Sequence, residues 1–467
     1  MREEDLLHAE GYRDRVSTVT SSGNRNWVFA LKPSGWFYKI RSMVSYAYLA
    51  IFFILPFIKV NGMPFFMINI PKGKFIIFSK IFWPQDFFIF AVAMITFIIF
   101  IVLFTIVFGR LFCGWACPQT VFMEFVFRKI EWWIEGSPSQ QRKLKASPWT
   151  GAKLFKKVFK HFLFFSFSFL IANTFLSYIL GVDELYKIIR EPIRDHVSLL
   201  LGLVIFTLFF YGVFAFVREI VCTTICPYGR LQGVMFDKDT MQITYDYNRG
   251  EPRGKFKKDQ DRNEGDCIDC HKCVQVCPTG IDIRNGLQME CVACTACIDA
   301  CDDVMKHLNF DPGLIRYASE NEISTGQKFH FNARMIAYSI LLGILTIIMI
   351  TLVISRKTID TYVSRVKGQL YQEVGTDRYS NLFDVKIINK TNKEVQVELK
   401  VEEKNGVLKL VGTKQILLKK EAVNEYAFFV EIPKAEIKER SSDLKIGVYS
   451  QGEKIQTIKT KFLGPFI

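Results

Sequence analysis

Residues 87–108 read FFIFAVAMITFIIFIVLFTIVF, twenty-two positions without a charge. In a bilayer such a stretch satisfies its backbone only as a helix, and about 20 residues cross the hydrocarbon core. The rest of the chain must therefore be compatible with a membrane. Four further runs qualify as spans: Met43–Val60, which contains Pro56, then His161–Val182, Val197–Val217 and Met335–Ser355. Five spans put the two ends of the chain on opposite sides. Half the residues are hydrophobic at a net charge of +14. That combination disfavours a nucleic-acid partner and fits loop charge that sets topology. The first forty residues are polar and of mixed charge, so no cleavable signal peptide is expected.

The distribution of Lys and Arg orients the spans. Arg110, Arg128, Lys129, Arg142, Lys143, Lys145, Lys153, Lys156, Lys157 and Lys160 lie between the second and third spans. Between the third and fourth, Lys187, Arg190 and Arg194 are offset by Asp183, Glu184, Glu191 and Asp195. The first loop is thus expected in the cytoplasm of a bacterial inner membrane. Residues 1–42 and 218–334 then share that side, 43–217 hold four spans, 335–355 form the fifth, and 356–467 are periplasmic. Every cysteine falls between 113 and 301, on the reducing side, where thiols remain available to metals.

Eight of the cysteines form two runs. Cys267, Cys270, Cys273 and Cys277 spell C-x-x-C-x-x-C-x-x-x-C followed by Pro278. Cys291, Cys294, Cys297 and Cys301 repeat the spacing, with Asp302 in place of the proline. This is the bacterial dicluster ferredoxin pattern, in which the fourth cysteine of each run serves the other cluster. Two [4Fe–4S] clusters are expected, one on Cys267, Cys270, Cys273 and Cys301, the other on Cys277, Cys291, Cys294 and Cys297. Zinc sites usually draw on separated Cys-x-x-Cys pairs and fit these runs poorly.

The other four cysteines lie where two spans end, as CGWACP at 113–118 and CTTICP at 222–227. A residue before proline avoids the helical region, so Cys117 and Cys226 should directly precede helices begun by Pro118 and Pro227. A helix N-terminus favours the thiolate. Cys113, Cys117, Cys222 and Cys226 brought together would make a soft site suited to copper as Cu(I), and they are the candidate catalytic and metal-binding thiols. A redox disulfide, inert packing and a third iron–sulfur cluster are the competing readings. The histidines carry less: His271 lies in a cluster loop, and His161 and His196 suit packing or interfacial roles.

Other segments are simpler. Pro118–Glu135 has helical apolar spacing and two tryptophans, as for a helix along the inner leaflet. FFMINIPKGKFIIFSKIFWP suggests a hairpin on the outer surface turning at Lys72–Gly73. The basic run Arg253–Lys258 reads as a solvated loop. Beyond the last span, FDVKIIN, VQVELKV, GVLKLVG, YAFFVEI, LKIGVYS and KIQTIKT are short strands with turns at Asn405–Gly406 and Gln451–Gly452. They suggest an immunoglobulin-like β-sandwich. The fold class expected is therefore a multi-domain membrane protein with five transmembrane helices, a cytoplasmic dicluster ferredoxin domain and a C-terminal all-β sandwich.

CGWACP, CTTICP, the paired cluster runs at 267–302, the following span and the outer β-domain together resemble the CcoG family (FixG/RdxA) of cytochrome oxidase accessory proteins. The resemblance covers nearly the whole chain. It implies a role in assembling a cbb3-type haem–copper oxidase, with reduction of Cu(II) to Cu(I) during copper delivery. It also implies as partners the oxidase subunits or a periplasmic copper chaperone. No phosphate loop or flavin fingerprint is present, so a cytoplasmic electron donor is expected. Two alternatives remain at this level: a membrane ferredoxin subunit relaying electrons between quinol and a reductase, and a scaffold stapled by its clusters.

Overall fold

The computed structural model describes residues 25–465 apart from 72, 84–85, 257–262, 367, 369, 403–404, 414 and 438. Most of the N-terminal segment, Lys72 of the expected hairpin turn, and Lys257 and Lys258 of the basic run lie outside the described residues.

Five helices are long and apolar enough to cross a membrane: α1 (Trp36–Phe57), α2 (Phe87–Phe108), α3 (Gly151–Leu180), α4 (Ile193–Val217) and α5 (Ala333–Ile354). Pro56 sits in a final 3₁₀ turn and ends α1 ahead of the expected Val60. At its other end, α1 begins before Met43. Likewise α3 starts ten residues before His161, because lysine is a good helix former and Lys157 and Lys160 find carboxylate partners. Helix α5 buries Met335 alone, and α2 buries only Thr96, Thr105, Ile106 and Val107. Such apolar exteriors are stable only against lipid.

The chain divides into two compact units. In the first, Phe122, Met123, Phe125 and Phe127 are buried, and all but Phe125 join a core with Leu49 of α1, Phe164 and Ile171 of α3, and Phe214 of α4. These phenylalanines lie on Pro118–Glu135, which runs as α-helix, a π-helical turn at Met123–Phe127, and α-helix again. The expected surface helix is therefore buried. Its Glu124, Arg128, Glu131 and Glu135 are also buried, and ion pairs within the segment and with remote residues satisfy them. Arg218 donates to both Glu131 oxygens at 2.8 and 2.9 Å. Arg128 pairs with Glu124 at 2.6 Å, and Lys160 and Lys157 meet Glu135 at 2.9 and 2.8 Å. Burial favours the neutral Glu135 carboxyl, but Lys160 and Lys157 outweigh it and hold its pKa below the ordinary value.

The second unit joins Ile58–Ile89 to the chain from Ile350 onward. Its sandwich strands are β1 (Ile359–Arg365), β2 (Gln372–Val374), β3 (Arg378–Asn389), β4 (Val395–Val401), β5 (Val407–Leu410), β6 (Ile416–Leu418), β7 (Val423–Pro433), β8 (Ser441–Ser450) and β9 (Glu453–Leu463). One sheet runs β5-β7-β3-β1 with β2 also on β3, and the other runs β6-β4-β8-β9. Alternate inward residues such as Phe383, Val385, Ile387, Phe428, Val430, Ile446 and Val448 fill the space between them. Asn405 and the Gln451–Gly452 pair adopt positive φ at the expected turns. The segment between α1 and α2 forms a three-stranded sheet, Phe66–Asn69, Lys74–Ile77 and Lys80–Phe82, rather than a plain hairpin. It is tied to the sandwich by Asp86, whose oxygens meet Lys390 at 2.5 Å and Arg356 at 2.9 Å.

Candidate metal centres

The ferredoxin runs fold so that each expected cluster set encloses its own cavity. Cys267, Cys270, Cys273 and Cys301 line one. Cys277, Cys291, Cys294 and Cys297, with Cys273 at the boundary, line a second. Cys301 thus lines the first cavity and Cys277 the second. Asp269 and His271 in the first run, and Ala293 and Thr295 at matching offsets in the second, all have positive φ. Such left-handed residues turn successive N–H groups toward one centre, forming a nest for an anion. Sulfur-lined cavities with this backbone fit iron–sulfur clusters, which would supply one-electron transfer. The residues fix where that can happen. Arg284, hydrogen-bonded to Asp282 and to Asp269 at 2.5 Å, braces the first cavity.

The missing proline after Cys301 has a local cause. Cys301 and Asp302 lie inside the helix Ala296–His307, where proline would remove a hydrogen bond and clash with the preceding turn. The Asp302 carboxylate instead accepts from the Gly313 N–H at 2.8 Å. Cys277, by contrast, caps a helix end, so Pro278 is tolerated.

The two C-x-x-x-C-Pro loops match at both ends, although Leu111–Trp115 is α-helical and Val221–Ile225 a π-helical turn. Each follows a left-handed residue, Gly109 or Arg218. Cys117 N–H donates to the Phe112 carbonyl at 2.9 Å, and Cys226 N–H to the equivalent Val221 carbonyl at 2.8 Å. Both second cysteines are extended and directly precede Pro118 or Pro227 at the first position of a helix, as the sequence predicts. The loops face one another: Cys113 lies within electrostatic reach of Cys117 and Cys226, and Cys222 of Cys117 and Cys113. Burial raises the Cys113 thiol against the pull of Arg110 and pushes Cys222 up to about 12. Among the described residues, no three His, Cys, Asp or Glu side chains stand close enough to hold a single ion.

Both loops rest on the second cavity's ligands. Cys113 shares a packed cluster with Val276, Val292, Cys294 and Ala296, to which Cys222 and Cys297 also belong. A Cβ on Gly114 would stand 2.4 Å from the Val292 carbonyl oxygen, so this glycine permits backbone contact. Two buried arginines bridge the junction. Arg41 Nε donates to the Gly114 carbonyl at 2.7 Å, and Arg110 donates to the Met289 and Cys222 carbonyls. The sequence shows Arg41 only as a charge near a span, with no sign of this role. His161 instead packs against Tyr211, 2.9 Å from its hydroxyl.

This fold and these sites define a membrane-associated iron–sulfur redox protein. Family models agree: "4Fe-4S dicluster domain" matches residues 217–320, "4Fe-4S binding domain" matches 90–136, and "IG-like fold at C-terminal of FixG" matches 349–465. The chain is 35% identical to the nitrogen fixation protein FixG of Rhizobium meliloti over 63% of its own length and 57% of that protein. It is 30% identical to RdxA and 31% identical to RdxB of Cereibacter sphaeroides, in each case over 82% of its own length and 84% of the relative. The chain belongs to the FixG/RdxA family.

Proposed function

We propose that the protein carries electrons from a cytoplasmic donor, a reduced flavoprotein or ferredoxin, through the two cluster sites to Cys113, Cys117, Cys222 and Cys226. There Cu(II), as substrate, gains one electron and leaves as Cu(I). The observation that carries this reading is the shared packing of Cys113 and Cys222 with Cys294 and Cys297. An electron entering at the Cys267 set reaches the membrane-exit thiols by way of the Cys277 set. Loop charge supports the cytoplasmic placement of both. The acceptor follows from the family resemblance, which points to copper supply for a cbb3-type oxidase, and the β-sandwich is the surface offered to the oxidase or a periplasmic copper chaperone.

The test is Cu(II) reduction by anaerobic protein whose clusters have been reduced beforehand. A Cys113→Ser/Cys226→Ser variant that keeps its ferredoxin clusters should reduce Cu(II) more slowly. Equal rates would remove the four thiols from the path.

A further inference from the structure

The chain has twelve cysteines, all free thiols. Eight line the two ferredoxin cavities. The remaining four sit in the paired loops, two from each. We propose that Cys113, Cys117, Cys222 and Cys226 are the ligands of a third [4Fe–4S] cluster, placed between the ferredoxin domain and the membrane helices. This rests on the electron-relay part of the function proposed above and concerns what resides at its last station.

Three independent observations point to it. The first is cysteine arithmetic. The "4Fe-4S binding domain" match at 90–136 contains Cys113 and Cys117 and no other cysteine. A [4Fe–4S] cluster takes four thiolates, so half the shell must come from elsewhere. The dicluster match at 217–320 holds ten cysteines. Once two clusters take eight, Cys222 and Cys226 are left over.

The second is spacing. The four thiols are electrostatic neighbours across the two loops, yet among the described residues no three such ligands could grip one ion. The ferredoxin sets behave in the same way, because a cube holds its corner thiolates farther apart than a single ion does. In this respect the quartet resembles the two ferredoxin sets.

The third is a surplus of donors. Arg110 is buried beside Cys113 and Cys222, and its Nε has no partner. The hydroxyl of Thr120, also buried, is directed at the Cys222 sulfur. A buried donor left unpaired is costly. The inorganic sulfides of a cluster would add acceptors to those of the thiolates and carry negative charge that Arg110 complements.

Iron, acid-labile sulfide and copper should be counted together on anaerobically reconstituted full-length protein. About twelve iron and twelve sulfide per chain are expected, with copper absent when none is added. A Cys113→Ser/Cys117→Ser/Cys222→Ser/Cys226→Ser variant should fall to about eight of each and lose one set of paramagnetic signals in a reductive titration. Should that variant not accumulate, the wild-type count still decides. About eight iron per chain, with the quartet open to alkylation, overturns the third cluster and leaves the relay standing. Absence of sulfide altogether overturns the relay as well.

Discussion

The guanidinium of Arg110 lies 3.2 Å from the backbone carbonyl of Cys222. One thiol loop thereby holds the other through a buried cation. Arg110 also donates to the Met289 carbonyl just before Cys291, and its charge reaches the sulfurs of Cys113, Cys222 and Cys291. A buried cation favours the reduced, more negative state of a neighbouring cluster. Arg110→Gln should lower the midpoint potential of the cluster on the Cys291 set by about 60 mV or more, a tenfold change for one electron. The cluster beside Arg284 should change little. A redox titration followed by electron paramagnetic resonance checks both.

Gly114 is where the first thiol loop touches the second cluster loop. An added methyl would press on the Val292 and Ala293 carbonyl oxygens at 2.4 and 2.8 Å. Gly114→Ala should cost about 1–3 kcal/mol through overpacking and slow electron delivery to Cu(II) while iron bound at the ferredoxin sites is retained. Stopped-flow oxidation of the reduced protein by Cu(II), alongside iron analysis, separates these effects.

The helix through Cys301 explains Asp302. Restoring the proline of the common motif, Asp302→Pro, should cost about 3 kcal/mol and displace Cys301. Loss of the cluster on the Cys267 set is expected, with the other retained, as read by iron and sulfide content. Full retention would show that the helix tolerates the ring.

Arg218 combines positive φ with a two-pronged bond to Glu131 inside the first unit. Removing one partner of a buried ion pair typically costs 3–5 kcal/mol, because the other charge remains buried. Glu131→Gln should therefore lower the thermal midpoint of the detergent-solubilised protein. Glu131→Gln combined with Arg218→Gln should recover part of the loss.

Asp86 predicts acid sensitivity in the second unit. Burial acts to raise its carboxyl, but Lys390 and Arg356 prevail and hold it below the ordinary value. A carboxylate with a lowered folded pKa stabilises fully above the unfolded value of about 3.9, and that contribution is lost as pH falls through the folded value. The sheet at 66–82 should loosen first on acidification. Hydrogen exchange at Phe75–Ile77 checks this, and Asp86→Asn should already be loose at neutral pH.

How much of this was legible in the chain depends on the range of each interaction. The two four-cysteine runs were legible, because a cube needs three closely spaced thiolates that a short run can supply, and each expected set lines one cavity. The sandwich strands were legible where alternation was strict, as in Val395–Val401. Ile359–Arg365, Gln372–Val374 and Ile416–Leu418 were not expected, being short or of mixed polarity. Pro118–Glu135 was misread because apolar spacing cannot report that Glu131 meets Arg218.

Local chemistry thus determined the spans, the cluster motifs and the helix starts at Pro118 and Pro227, since backbone satisfaction in lipid, thiolate spacing and a fixed proline φ act within a few residues. Tertiary structure alone decided that the two thiol loops face one another, that Arg41 and Arg110 join them to the second cluster site, and that the segment between α1 and α2 packs with the sandwich. Those contacts link residues far apart along the chain. Their geometry is set by the burial of charge and backbone against remote partners, which no local pattern encodes.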